Sequence, residues 1–220
     1  MKKYQLVLII TFALVVTLWI VGRATNAFQY FSVPTKSNQP TYKTGSTFFA
    51  SNLITPKRFD FICYVGTDPQ VGKSIFFHRV CGMPGDTVEI RAGDLYINGV
   101  SQDSALNLKK FYSIPRGLAA TLDFEDGEVT TLGNDSVIGP LETIQQKDII
   151  KQAKRFMRDR NIEDPYIKNI YGQQWSADDF GPYVVPANTW FVLGDNRNMS
   201  QDSRYTGPVE KNRYIATVIR

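Results

Sequence analysis

From Tyr4 to Gly22 the chain carries no charged side chain, and Leu6–Gly22 is built mostly from Leu, Val, Ile, Phe and Ala. Those roughly 17 residues sit at the lower limit for a helix crossing a ~30 Å hydrocarbon layer. A run of this kind commits the N-terminus to one apolar helix before anything else is considered. Two fates are open to it. A secretory signal has a shorter apolar stretch and a small-x-small cleavage site, and Thr25-Asn26-Ala27 could serve as one. A retained anchor fits the length and the placement of Trp19 near the far end better. Lys2 and Lys3, with the terminal amine, outweigh Arg23, so the N-terminus is expected in the cytoplasm and the bulk of the chain outside.

The remaining sequence reads as β-rich. With 43% hydrophobic and 13% aromatic residues, the 220-residue chain has the material for a packed core. Strands are expected over Thr47–Leu53, Phe59–Val65, Ile75–Cys81, Thr87–Arg91 and Leu95–Asn98. Further strands are expected at Gly181–Pro186, Thr189–Leu193 and Tyr214–Ile219. Pro56-Lys57-Arg58, Thr67-Asp68-Pro69 and Ala92-Gly93-Asp94 mark turns between them. The aromatics of Ala27–Val33 suggest a segment at the membrane interface. From about 100 to 180 the pattern turns polar, and Glu142–Arg160 spaces Ile149, Ile150, Ala153, Phe156 and Met157 as a helix would. The basic face of that helix is read as a solvated surface, with contact to anionic lipid as the lesser reading.

Charge and cysteine usage narrow the function classes. The excess of 25 basic over 21 acidic side chains is small and dispersed, which argues against nucleic-acid binding. Cys63 and Cys81 lie in the exported part, where a disulfide is permitted. If Phe59–Val65 and Ile75–Cys81 pair as a hairpin about residue 70, the two sulfurs are not opposite each other, so free buried thiols are expected. One histidine and two cysteines on separate strands make poor metal-ligand spacing, and no Gly-rich phosphate loop is present, so neither metal nor cofactor is expected.

His78 is the only histidine. On a strand it shares a face with Phe76 and Val80, which sets a titratable imidazole against an apolar wall. By itself such a residue is most simply a core histidine making one hydrogen bond. Ser37 lies in the loop Val33–Thr41, bracketed by Pro34 and Pro40, which would fix its hydroxyl and its backbone N–H. A serine nucleophile needs an adjacent base and donors for the oxyanion. Thr35 can aim a second hydroxyl at the same place, and His78 is the only imidazole available to act as partner. After the strand Thr189–Leu193 the run Gly194–Arg204 is almost wholly polar. Within it Ser200 and Asp202 could orient a base, and Arg204 could hold Asp202 through a bidentate pair.

Four stretches in order then resemble the motifs of the type I signal peptidases, membrane-anchored serine endopeptidases of the Ser–Lys clan. Ser37-Asn38-Gln39-Pro40-Thr41 is similar to that family's Ser-Met-x-Pro-Thr box, and Pro56–Ile62 to its Lys-Arg-Gly-Asp-Ile-Val box. His78–Asp86 resembles Lys-Arg-Val-Val-Gly-x-Pro-Gly-Asp. Gly194–Arg204 matches Gly-Asp-Asn-x-x-x-Ser-x-Asp-Ser-Arg in full. The resemblance implies antiparallel sheets in a barrel-like catalytic core, formed by 28–99 and 181–220. It adds a cytoplasmic tail at 1–5, an anchor at 6–22 and a variable α+β insertion at 100–180. It implies Ser37 as nucleophile, the Ser37 N–H and Thr35 hydroxyl as oxyanion hole, and Ser200, Asp202 and Arg204 as supports. The implied reaction removes signal peptides from exported preproteins after small-x-small sites on the outer face of the cytoplasmic membrane.

The match departs from the family in two places. Asn38 stands where the family has Met, which loses an apolar contact beside the nucleophile. His78 stands where the bacterial enzymes have the general-base lysine, as in the endoplasmic-reticulum-type members. Histidine starts near ~6.5 and needs little tuning to act as a base, whereas lysine must be brought down from ~10.4. Lys73 is discounted as the base because its odd offset points it to the other strand face. The expected contact is therefore a direct one between Ser37 and His78. Other readings are a processing peptidase dedicated to one secreted or pilus-like substrate, a catalytically inactive anchored homologue, and a plain exported β-rich binding module.

Overall fold

The computed structural model describes residues 3–25, 27–68, 72–158 and 163–219. The apolar run forms one helix, α1 (Lys3–Ala24). Its Lys3–Gly22 stretch is 20 residues long with a mean hydropathy of 2.4, and none of it is buried against the rest of the chain. That is enough, by length and composition, to cross a membrane.

The remainder is strands. In chain order they are β1 (Gln29–Ser32), β2 (Thr47–Ser51), β3 (Phe61–Asp68), β4 (Gly72–Gly82) and β5 (Thr87–Arg91). Next come β6 (Asp94–Ile97), β7 (Val100–Ser101), β8 (Lys109–Pro115), β9 (Thr130–Leu132) and β10 (Ser136–Glu142). The last are β11 (Lys154–Arg155), β12 (Phe180–Val184), β13 (Thr189–Leu193), β14 (Val209–Glu210) and β15 (Tyr214–Val218). Four short helices intervene: α2 (Arg116–Ala119), α3 (Lys147–Ile150), α4 (Pro165–Tyr171) and α5 (Ser203–Thr206). The fold is mainly β, as expected.

Three antiparallel sheets result: seven strands in the order β1-β2-β15-β3-β4-β13-β14, and two of four strands, β12-β5-β6-β7 and β11-β8-β10-β9. The largest sheet is covered on both faces, and β3 shows how. Phe61 and Cys63 enter a cluster with Val33, Phe48, Ala216 and Val218. Ile62 and Tyr64 point the other way, into a cluster with Val80, Trp190 and Val192. This is the two-residue alternation of a strand with an apolar layer on each side. Burying each of those large side chains contributes about 1.5–3 kcal/mol.

The β3–β4 hairpin runs in the register Phe61↔Arg79, Ile62↔His78 and Cys63↔Phe77, out to Asp68↔Gly72. The turn expected at Thr67–Pro69 moves outward, since β3 continues to Asp68, and Pro69 itself lies outside the described residues. In this register Cys63 and Cys81 are not partners, and both are free buried thiols. Ala27–Val33 contributes β1, which pairs with β2.

The helix expected over Glu142–Arg160 does not form. Glu142 ends β10, only the turn Lys147–Ile150 is helical, and Lys154–Arg155 is strand β11; residues 159–160 lie outside the described residues. The spacing was misleading because the apolar side chains serve a different packing. Ile149, Ile150 and Ala153 pack on a local core of Tyr112, Ile114 and Leu141. The free edge of β8 then captures the chain, with Phe156 N–H donating to the Phe111 carbonyl at 2.9 Å. An open strand edge presents unpaired N–H and C=O groups to a chain that passes it.

Candidate active site

Ser37 lies in the loop between β1 and β2. The loop is closed at its base, where Val33 N–H donates to the Ser46 carbonyl at 2.9 Å and Gly45 N–H to that of Val33 at 2.8 Å. The Oγ atoms of Ser37 and Thr35 are 3.1 Å apart. Two ties hold the tip. Asn196 N–H donates to the Ser37 carbonyl at 3.0 Å. The buried Asn38 amide donates to the Phe77 carbonyl, next to His78. Asn38 thereby joins the loop to β4 by a hydrogen bond.

His78 is only 2% exposed. Its Nδ1 is 2.9 Å from the Tyr64 hydroxyl and its Nε2 is 3.2 Å from Ser200 Oγ. Neither nitrogen is hydrogen-bonded to Ser37. Instead Ser37 and His78 line one cavity of about 250 Å³, walled by Thr35, Ile75, Phe76, Phe77 and Gln201. The direct contact expected from sequence is replaced by facing walls because β4 sinks the imidazole into the sheet while the loop holds Ser37 half-exposed at the rim. Lys73 is exposed and is absent from the cavity's lining.

Gly194 explains how close the pieces come. A Cβ at this position would lie 2.2 Å from Ser200 Oγ and 2.5 Å from the Ser37 carbonyl oxygen. The Ser200 hydroxyl and the Ser37 backbone thus meet at one spot that only glycine leaves open. Ser200, which is bonded to His78 Nε2, and the Ser37 backbone therefore both border the Gly194 position.

Burial pushes the His78 imidazole down to about 4; the Asp202 carboxylate pulls it up, Arg204 lowers it and Asp195 raises it. The sequence suggested a histidine close to its ordinary value. Complete enclosure by the sheet makes it neutral across the physiological range instead. Asp202 does not touch the imidazole, so its part is charge at a distance. Its carboxylate accepts from Arg204 Nε and Nη2, both at 2.8 Å, and from the Gly194 N–H at 3.1 Å. Burial opposes its ionisation, yet the Arg204 guanidinium holds it below the usual carboxylate range. Arg204 itself is anchored on the Arg197 carbonyl at 2.7 Å.

Several participants were not foreseen from the sequence. Tyr64 is one; its signal was the hairpin register, which sets it diagonally across from His78 on one sheet face. Another group fastens the two loops together. Arg79 makes a bidentate pair with Asp195, 2.7 Å from Nε to Oδ1, and Thr41 donates its hydroxyl to the same carboxylate. Residues of the segment 100–180 also reach in. Lys36 pairs with Glu125 at 2.9 Å, the Gln39 amide donates to Glu125 at 2.9 Å, and Lys109 Nζ bridges Gln39 and Glu128 at 2.9 and 3.1 Å.

A family model described as "Signal peptidase, peptidase S26" matches residues 3–220. The chain belongs to that family. Among curated relatives it is 27% identical over 215 residues to signal peptidase I of Buchnera aphidicola subsp. Baizongia pistaciae, covering 86% of this chain and 67% of that one. To signal peptidase I V of Bacillus subtilis it is 25% identical over 192 residues, covering 86% and 82%. To signal peptidase IB of Staphylococcus aureus it is 26% identical over 228 residues, covering 99% of this chain and 89% of the relative. Membership makes the chain a serine endopeptidase of the signal-peptidase kind, and α1 fits the membrane anchor of such an enzyme.

Proposed function

We propose that this enzyme removes signal peptides from exported preproteins after small-x-small sites, with Ser37 as nucleophile and His78 as general base. The observation that carries the reading is that the only imidazole of the chain and Ser37 wall the same small cavity. Neutral at physiological pH, the imidazole is ready to accept a proton. In the proposed reaction His78 Nε2 takes the Ser37 proton, directly or through the Ser200 hydroxyl, as Ser37 Oγ attacks the scissile carbonyl. The oxyanion is met by the Ser37 N–H and the Thr35 hydroxyl. The imidazolium then returns its proton to the leaving amine, and water hydrolyses the ester by the same route.

The cavity supports the substrate assignment. With Phe76, Phe77 and Pro34 in its wall, it offers an apolar recess beside Ser37 for an uncharged side chain of the substrate. Gln201 also lines a second, larger cavity of about 880 Å³ with Ser200, Met199 and Tyr166, which offers a path for the chain beyond the scissile bond. For location, we place α1 across the cytoplasmic membrane with its N-terminus in the cytoplasm and the catalytic part on the outer face. The exposed rings of Phe28, Tyr30 and Phe49 cluster just after α1, with Phe28 and Phe49 centroids 4.9 Å apart, a placement that suits the lipid interface.

The test is cleavage of a membrane-inserted preprotein by Ser37→Ala and His78→Ala proteins. Both are expected to be inactive while folded. Full activity in either overturns the assignment, and selective loss for one preprotein among many would favour a dedicated processing role.

A further inference from the structure

Resting on the Ser37/His78 reading, we propose that Tyr64 is the positioning residue of the catalytic base. It holds Nδ1 of His78 so that Nε2 faces the serine. A neutral imidazole has one N–H and one lone pair, and only an Nε2 lone pair can receive a proton from the Ser37 side. Nε2 is turned toward Ser200, whose hydroxyl and the Ser37 carbonyl both border the Gly194 position. Nδ1 points the opposite way, to the Tyr64 hydroxyl at 2.9 Å. The proposal requires the tautomer in which Nδ1–H donates to the Tyr64 oxygen, which leaves Nε2 as the acceptor.

Tyr64 is built to hold that direction. It is 1% exposed, it lies on the same sheet face as Ile62, which is opposite His78, and its ring stacks on Phe76 at 5.8 Å. The Arg213 guanidinium covers the ring at 5.8 Å. Burial raises the phenol far above its ordinary value, so it stays protonated. The proton account closes without it: the Ser37 hydroxyl proton goes to Nε2, the Ser37 Oγ–carbonyl carbon bond forms, and the same proton leaves on the departing amine as the peptide C–N bond breaks. Tyr64 keeps its own proton throughout. A neutral phenol therefore stands where serine–histidine–carboxylate enzymes place a charge. The charges acting on the imidazole come from elsewhere, namely Asp202 and Asp195 in the loop after β13 and Arg204 in α5.

The single histidine makes the test direct, because every imidazole ¹⁵N signal of untagged protein belongs to His78. Tyr64→Phe removes one oxygen. It is expected to lower kcat roughly tenfold or more, the cost of one orienting hydrogen bond, with KM unchanged. The ¹⁵N spectrum is expected to shift its balance between the Nδ1–H and Nε2–H forms, and the acidic limb of the pH–rate profile to move. Replacing Tyr64 with 3,5-difluorotyrosine keeps the shape while weakening the oxygen as acceptor, and should move kcat and spectrum in the same direction if Tyr64→Phe does not fold. An unchanged kcat, or a lower kcat with an unchanged ¹⁵N pattern, overturns the proposal. Activity surviving in His78→Ala would instead remove the reading beneath it.

Discussion

At the scale of single residues, the site depends on how deeply β4 sinks one imidazole. With His78 near 4 when folded and ~6.5 when unfolded, the unfolded chain binds the proton first as pH falls. Stability is therefore full above ~6.5, declines below it, and the loss is complete near 4, on the order of 3 kcal/mol in all. The carboxylates of Asp86, Asp103 and Asp202 are held below their ordinary value, so their contribution is lost only at lower pH. Urea unfolding at pH 7 and pH 5 is expected to show a drop for the parent protein and little for His78→Gln; equal drops would refute the buried neutral imidazole. The same burial puts the acidic limb of kcat/KM close to 4 rather than 6.5. Gly194→Ala should destabilise by about 1–3 kcal/mol and slow cleavage at least roughly tenfold, because its Cβ needs space held by Ser200 and the Ser37 carbonyl. A Gly194→Ala enzyme with parental kinetics would contradict that geometry. Ser37, Thr35, His78, Ser200, Asp202 and Arg204 were all legible as candidates from residue chemistry and motif order. Tyr64 was not singled out, because a tyrosine in a strand looks like core until the register of the facing strand is known.

At the scale of elements, strands specified by their own alternation or by a buried apolar run were readable even where their partners are distant, as β13 is from β4. Thr87–Arg91 and Thr189–Leu193 fall at the expected boundaries, since alternation or a buried apolar run specifies them locally. Glu142–Arg160 failed because β8, more than thirty residues earlier, decides its conformation through an edge that no local pattern reveals. The segment 100–180 also makes contacts that its sequence did not suggest. Its strand β8 begins at Lys109, whose N–H donates to the Asp195 carbonyl at 3.0 Å while its ammonium reaches Gln39 and Glu128. Glu128 is buried, so truncating it leaves Lys109 short of a partner. Glu128→Ala is expected to cost about 3 kcal/mol, and to lower kcat by loosening the loop that carries Ser37. Urea unfolding and steady-state cleavage check both, and unchanged kcat in a folded Glu128→Ala protein would show that this segment does not brace the nucleophile.

At the scale of the whole molecule, one exposed apolar helix is joined directly to the edge of the largest sheet, with Ser37 in the next loop. Tethering enzyme and substrate to one membrane raises their effective concentration. Removal of residues 1–25 should therefore leave hydrolysis of a soluble peptide nearly intact and reduce cleavage of a membrane-inserted preprotein roughly 100-fold or more. Equal losses on both substrates would mean that α1 supports the fold instead. The apolar helix α1 was the easiest element to read, since its composition alone specifies it. How the sheets enclose the histidine required the structure, because that depends on which faces pack together. The most direct measurement of the central claim is the mass of the enzyme after rapid acid quench during preprotein turnover. The account predicts an ester adduct of the signal peptide on the fragment containing Ser37, formed by the parent enzyme and absent from His78→Ala. An adduct on another residue, or one that forms equally fast without the imidazole, would contradict it.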